Sequence, residues 1–523
     1  MSDSKRFARR TVMLGAASAG ISASLAPRAS AASRMAQDNL ARRLEALAED
    51  GLDPRHYEAP GSALMSRAEA ALRDLVLGRV AALPGRVDIR RDPARADFPA
   101  WRDRLYASAD PARVLDQAAA LHPDAAPIKA ELARFRAIAA RGGWPTIEGN
   151  LASTLEPGSH DAARVGQLRA RLAVLDPEVL RGAAAESPVY DARLEASVRR
   201  FQTAEGLDAD GRIGRLTWAA LNTPVEAKIG QLRTTLDMRR GLAAAPDRRI
   251  EVNIPHFRLK LTDAGRVVQD MAVVVGRPDR QTPMLDVRMV AVQFNPPWGV
   301  PDRNAREDLL PRFRREPGRM QALGYRLYQR IDGELTEIDA TTVDFSAYTK
   351  DRFPFIIRQD PGEANALGRI KFVMPNRDDI FMHDTPDRHL FRRTERAYSS
   401  GCIRLERPME LLAEAFSGMP AWNQERFDRV LEGGVTQGVS LTRAIPVRLH
   451  YDTVIVESGS VIMRRDIYGL DAAYLRALDA PRSERLAEAP PRRRGFGAGI
   501  GYGALSGDRR GRFRRQPCGA GAA

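Results

Sequence analysis

Residues 249–276 read RIEVNIPHFRLKLTDAGRVVQDMAVVVG, and here the chain changes period. Ile250, Val252 and Ile254 share one side of an extended segment, and after the Pro255 step Phe257, Leu259 and Leu261 resume the alternation. Asp263-Ala264-Gly265 turns the chain into Val267-Val268 and Met271-Ala272-Val273-Val274-Val275. Successive side chains of a strand point to opposite faces, so this pattern predicts strand, turn, strand. A mostly β domain begins near Arg249. Because the sequence before it carries a helical period, the fold class is α+β.

Upstream, from Met35 to about Ala140, Leu40, Leu44 and Leu47 fall on one helical face and Leu64, Ala68, Leu72, Leu75 and Val76 on another, with prolines and glycines between. This is a scaffold that names no chemistry. Between 190 and 224 the pattern is richer. Leu194, Val198 and Phe201 recur at i, i+4 and i+7; Gly206 can close that helix, Asp210-Gly211 turns the chain, and Thr217 precedes Trp218 and Leu221-Asn222 near the start of the next. The combination resembles the small three-helix peptidoglycan-binding module found on many cell-wall enzymes. That resemblance implies wall polymer, stem peptide or glycan, as a partner; periodicity and turns alone give a helical hairpin with no ligand, which would be only a spacer.

Downstream, Phe381-Met382-His383-Asp384-Thr385-Pro386 is followed by Arg396-Ala397-Tyr398-Ser399-Ser400-Gly401-Cys402-Ile403-Arg404. A thiol near pKa 8.5 is only a few per cent ionised at pH 7, so a nucleophilic cysteine needs an imidazole to take its proton or to stabilise the thiolate. His383 lies 19 residues before Cys402 and can reach it if the two sit on neighbouring strands. Gly401 removes a side chain where a carbonyl must approach, and backbone N–H groups beside it can receive an oxyanion. Read from the residues alone, Cys402 is either this nucleophile or a buried core thiol.

Composition narrows the alternatives. The chain has 523 residues, enough for about three domains of about 150 residues. With 44% hydrophobic and 28% charged residues and no apolar run of about 18, a multi-pass membrane protein is excluded. Two cysteines make neither a disulfide scaffold nor a paired zinc site, and His383, Asp384, His389 and Cys402 lack HExxH spacing, so no metal is expected. The net charge of +14 belongs mainly to the ends: residues 1–31 carry five basic side chains against Asp3, and residues 481–523 carry ten arginines against three acids. A nucleic-acid binder needs that charge on a folded face, and none is expected as partner.

The first end reads as an export segment: Lys5-Arg6 and Arg9-Arg10, a weakly apolar stretch from Val12 to Leu25, then Ala29-Ser30-Ala31. Arg9-Arg10-Thr11-Val12-Met13 resembles a twin-arginine signal, which implies a mature start near Ala32 and a periplasmic location. The Arg/Gly-rich tail has little to bury and is expected to be disordered; it is either solvated or held against a membrane face or an anionic polymer. Cys518 lies in it and is read as incidental.

The segment from His383 to Ser400-Gly401-Cys402-Ile403-Arg404 resembles the signature of L,D-transpeptidases with a YkuD-type catalytic domain. Asn295-Pro296-Pro297-Trp298, Gln359-Asp360-Pro361-Gly362 and Asn365 to Phe372 are similar to the large YcbB-like branch. One departure is Ser400, where many relatives have a second histidine. The resemblance implies a β-rich YkuD-type fold with a capping insertion at about 300–359, whose charged helical stretch runs from Arg303 to Gln321 and is followed by Tyr325 to Asp344. It implies Cys402 as nucleophile forming a thioester with a stem peptide, His383 as base and then acid, an oxyanion near Gly401 and Cys402, and Ser400 in the pocket. Arg404 either binds a substrate carboxylate or orders the loop, and Ser399, Asn295 and Trp298 are candidate substrate contacts. In such domains a backbone carbonyl orients the imidazole, so Asp384 is read as structural. No cofactor is implied.

The expected division is 1–31 export segment, 32–160 helical scaffold, 161–224 peptidoglycan-binding-like domain, 225–248 helical linker, 249–456 catalytic domain, 457–480 C-terminal scaffold segment and 481–523 tail. The reading that follows is a transpeptidase making 3-3 cross-links. Its rivals are an L,D-carboxypeptidase, an enzyme anchoring outer-membrane protein through a lysine, and a non-catalytic wall-binding protein.

Overall fold

The computed structural model describes residues 26–481 except 59–60, 84, 90, 93–95 and 182–186, with side chains from Ser33 onward. Most of the expected export segment, and all of the tail after Pro481 with Cys518, lie outside the described residues. The first helix, Ala26–Glu45, crosses the expected mature start.

Helices Leu64–Leu77, Phe98–Ala107 and Pro111–Ala119 pack with the first helix around Leu40, Leu44, Leu72, Leu75, Leu105 and Leu115. The C-terminal helix Leu470–Asp479 inserts Tyr474 and Leu478 into the same core. The segment expected as a linker is corrected here. Helix Val225–Met238 lies between these layers, and its buried Asp237 accepts the N–H groups of Arg79 at 2.7 Å and Val80 at 3.1 Å and the Tyr474 hydroxyl at 2.7 Å. A carboxylate can be buried this deeply because donors surround it. Helices Ala162–Ala173, Ala192–Ala204 and Arg215–Leu221 form a separate three-helix body around Leu168, Leu194, Val198, Phe201 and Trp218.

The β domain begins at Arg249 with β1 (Arg249–Asn253), β2 (Arg258–Asp263) and β3 (Arg266–Gly276). The turn between β2 and β3 places Ala264 and Gly265 both at positive φ, the backbone hand that suits a tight hairpin. Strands β4 (Leu285–Phe294), β9 (Ile370–Val373), β10 (Met382–His383), β11 (Ala397–Ser399), β12 (Ile403–Leu405) and β13 (Gln437–His450) join them in the order β11-β3-β12-β10-β9-β4-β13-β1-β2, and an additional β2–β3 pairing closes the sheet on itself. Ile250, Val252, Leu259, Leu261, Met382 and Ile403 point inward into one core.

Between β4 and β9 the chain leaves this sheet. It forms a helical run from Asp302 to Ala322 and a second sheet, β5 (Trp298–Gly299), β6 (Tyr325–Ile331), β7 (Glu334–Ile338) and β8 (Ile356–Gln359), around its own core of Leu309, Phe313, Phe345, Phe355 and Ile357. After β13, the hairpin β14 (Val454–Glu457) and β15 (Ser460–Met463) packs Val454 and Met463 against Ile128, Leu132 and Leu232 of the helices. The expected boundary at 456/457 therefore cuts a strand, and the change of body follows β13.

Candidate active site

Strand β10 is only two residues long, yet it sets the geometry. It runs antiparallel to β9, pairing His383 with Lys371, and parallel to β12, pairing Met382 with Ile403 and His383 with Arg404. Residues opposite each other share a face, so Met382 and Ile403 point into the core while Lys371, His383 and Arg404 form a row on the other face. Cys402 immediately precedes β12, two residues before Arg404, and is partly buried against the edge of the core. The strand that carries His383 is thus the neighbour of the strand that Cys402 leads into.

His383 is 4% exposed, and its Nδ1 lies 2.5 Å from the Asp384 carbonyl oxygen. A carbonyl only accepts, so Nδ1 carries the hydrogen and Nε2 keeps its lone pair. Burial, with the Arg404 and Lys371 charges, pushes the imidazole down to about 3, against the Asp384 and Leu367 carbonyls. Burial likewise pushes the Cys402 thiol up to about 11, against the Phe381 N–H and the charges of Lys371 and Arg404. At neutral pH Cys402 is therefore a thiol, with Sγ 3.8 Å from the Asp379 carbonyl, and His383 is a neutral imidazole. The Asp384 carboxylate is turned away from the ring: it accepts the Arg369 N–H at 2.9 Å and pairs with Arg388, and a Cβ on Gly368 would collide with it.

Gly401 takes φ +120°, where a side chain is strained, and a Cβ there would come within 3.0 Å of Ile380. The loop ahead of the thiol is thus built around a glycine.

Comparison with known proteins now bears on this arrangement. Residues 247–420 match the YkuD family, described as "L,D-transpeptidase catalytic domain", and the match contains both His383 and Cys402. Residues 247–420 are a YkuD-type L,D-transpeptidase domain. Residues 161–221, the three-helix body, match the family described as "Putative peptidoglycan binding domain". A Haemophilus influenzae protein named "Putative L,D-transpeptidase" is 36% identical over 222 residues, which is 42% of this chain and 44% of that protein; the match spans less than half of either. Crystal structures of L,D-transpeptidases from Xylanimonas cellulosilytica and Stackebrandtia nassauensis share 15% and 12% identity, each over 58% of this chain and 100% and 96% of theirs, with TM-scores of 0.18 and 0.19.

Within the transpeptidase domain several expected contacts have other duties. Ser399 is 3% exposed; its hydroxyl donates to the Cys402 carbonyl at 2.6 Å and accepts the Gly401 N–H at 3.1 Å. It closes the loop around Cys402 on itself, and it engages the Gly401 N–H expected to serve the oxyanion. Asn295 is 1% exposed, with Nδ2 donating to the Val430 carbonyl at 3.0 Å and Oδ1 accepting from Arg369 at 2.9 Å. It ties the end of β4 to the helix Gln424–Glu432 that precedes β13, and this burial corrects its assignment as a substrate contact. Trp298 is half-buried in β5 against the core of the insertion. Ser400 is exposed, and Arg404 donates to Asp387 at 2.6 Å, the loop-ordering alternative.

Lys371 was not among the candidates. Its Nζ sits 3.9 Å from the Phe381 ring centroid, beside His383 in register. It belongs to the quoted Asn365–Phe372 segment, but a lone lysine in a strand reads as a solvated side chain until pairing shows what stands opposite. Among the described residues, no group of three or more His, Cys, Asp or Glu side chains is placed to hold a metal.

Proposed function

We propose that the chain is an exported L,D-transpeptidase acting in the periplasm on peptidoglycan stem tetrapeptides. The observation that supports this reading is the parallel β10–β12 register, which pairs His383, its imidazole fixed through Nδ1, with Arg404, two residues after Cys402. Cys402 Sγ attacks the carbonyl carbon of the third stem residue while its proton passes to His383 Nε2. The oxyanion is received by backbone N–H at Cys402. The peptide bond to the terminal D-alanine breaks, and the leaving amine takes the proton from His383. An amine of a second stem then attacks the thioester, gives its proton to Nε2, and the departing thiolate recovers it. The result is a 3-3 cross-link with no cofactor, since the thioester keeps the acyl group activated. The insertion serves as a cap that limits water, and the three-helix body holds wall polymer. Its length and motifs support placement in the YcbB-like branch.

Incubating the mature protein with disaccharide tetrapeptide, beside a Cys402→Ala control, tests this. Cross-linked dimer from the wild type alone is the expected product. Tripeptide alone would make water the acceptor, and unchanged substrate would reduce the chain to a wall-binding protein.

A further inference from the structure

The turn between β3 and β4 reaches three parts of the molecule at once. Thr282 donates its hydroxyl to the Gly401 carbonyl at 2.7 Å. From behind, Tyr468 accepts the Thr282 N–H at 3.1 Å and donates to the Gly276 carbonyl at 2.6 Å, so a residue after β15 supports the turn. Arg280 lies at its tip with a side chain only 4% exposed. Its Nη1 donates to Ser400 Oγ at 3.0 Å and to Asp308 Oδ2 at 2.5 Å, and its Nη2 to Glu307 Oε2 at 2.5 Å.

Glu307 and Asp308 are consecutive and belong to the insertion. They reach one guanidinium because Ala305–Leu309 is wound as a wide π-turn, a distortion often found at functional sites. Asn304, just before it, also donates to Ser400 Oγ, at 3.0 Å. Ser400 immediately precedes Gly401-Cys402, so one buried cation joins the cap to the loop that presents the nucleophile. A planar guanidinium suits this bridge because its donors point in fixed directions; an ammonium cannot hold all three acceptors in that plane.

We propose that Arg280 is a positioning residue for the transpeptidase reaction, tying the seated cap through Glu307 and Asp308 to Ser400 and so setting the loop that carries Cys402. The proposal rests on the reading of Cys402 as nucleophile. It also assigns a use to Ser400: its hydroxyl is the acceptor on which the cap acts.

The test uses the full chain with Arg280→Met, Arg280→Lys, the pair Glu307→Gln/Asp308→Gln and the triple variant. Three quantities are read: Cys402 acylation by a carbapenem, followed by intact mass; hydrogen exchange of the segment 396–405; and the melting temperature. Arg280→Met should lower the limiting acylation rate roughly 10- to 100-fold, the scale on which a small misplacement of a reacting group acts, while leaving the half-saturating carbapenem concentration in place. Arg280→Lys should recover part of that loss. The Glu307/Asp308 pair, although in the cap, should speed exchange at 396–405 several-fold and slow acylation, and should add to Arg280→Met only the smaller effect of losing their second partners, the more exposed Arg303 and Arg277.

Wild-type acylation and unchanged exchange in Arg280→Met would overturn the proposal. So would a parallel fall in acylation and melting temperature without rescue by lysine, which would make Arg280 only a structural support. If the wild type is not acylated but exchange responds to the cap substitutions, the link stands and the transpeptidase reading fails. If acylation is normal and exchange does not respond, the link fails and that reading stands.

Discussion

In the three-helix body, the residues that make its pattern recognisable are engaged with one another. Tyr190 donates to the Gly211 carbonyl at 2.5 Å; Gln202 donates to Asp210 at 3.1 Å and to the Arg212 carbonyl at 2.9 Å, and accepts the Gly211 N–H at 2.9 Å. Asp191 caps its helix at the Leu194 N–H and pairs with Arg169. In the transpeptidase domain the corresponding motif is divided. Ser399 and Gly401 shape the loop, whereas His383 holds one ring nitrogen on the Asp384 carbonyl and leaves the other with its lone pair for the proposed chemistry. The first motif is a set of folding instructions, and the second adds the two atoms that the proposed reaction uses. Substitutions should therefore cost stability in one body and rate in the other.

The largest separation is expected at the base. His383→Gln should slow carbapenem acylation by roughly 10²- to 10⁴-fold, the range for a lost general base, and wild-type acylation should show no fall centred near pH 6.5 as the pH drops from 8 to 5. The sign follows from the lowered imidazole: with a folded value of about 3, the ring stays neutral and basic throughout that window. A midpoint near 6.5 in stopped-flow rates would break this account.

A smaller change should come from Lys371. The thiol is pushed up to about 11, so alkylation of Cys402 by iodoacetamide should still be rising between pH 9 and 11. Lys371→Met removes a positive charge that favours the thiolate, so its profile should shift to higher pH and its rate at pH 9 should fall. An unchanged profile would remove Lys371 from the site.

For Gln202→Ala no effect on acylation is expected. The buried Gly211 N–H loses its partner, which costs about 1–3 kcal/mol and should appear as earlier denaturant unfolding of the helical body. Loss of acylation in this variant would blur the contrast between the two bodies.

Much of this architecture was legible residue by residue. The alternation after Arg249, the stripe of Leu194, Val198 and Phe201, and the pairing of His383 with a cysteine 19 residues on are short-range patterns, because side-chain direction repeats every two residues in a strand and every 3.6 in a helix. Local pattern could not say that Asn295 and Ser399 turn inward, that helix Val225–Met238 lies in the middle of the scaffold, or that the hairpin after β13 leaves the barrel for the helices. Nor could it bring Arg280 to Ser400 across 120 residues. Those outcomes depend on register and on which polar groups meet once distant segments pack, and a buried donor bonds to whichever acceptor the closed sheet and the seated insertion bring within reach.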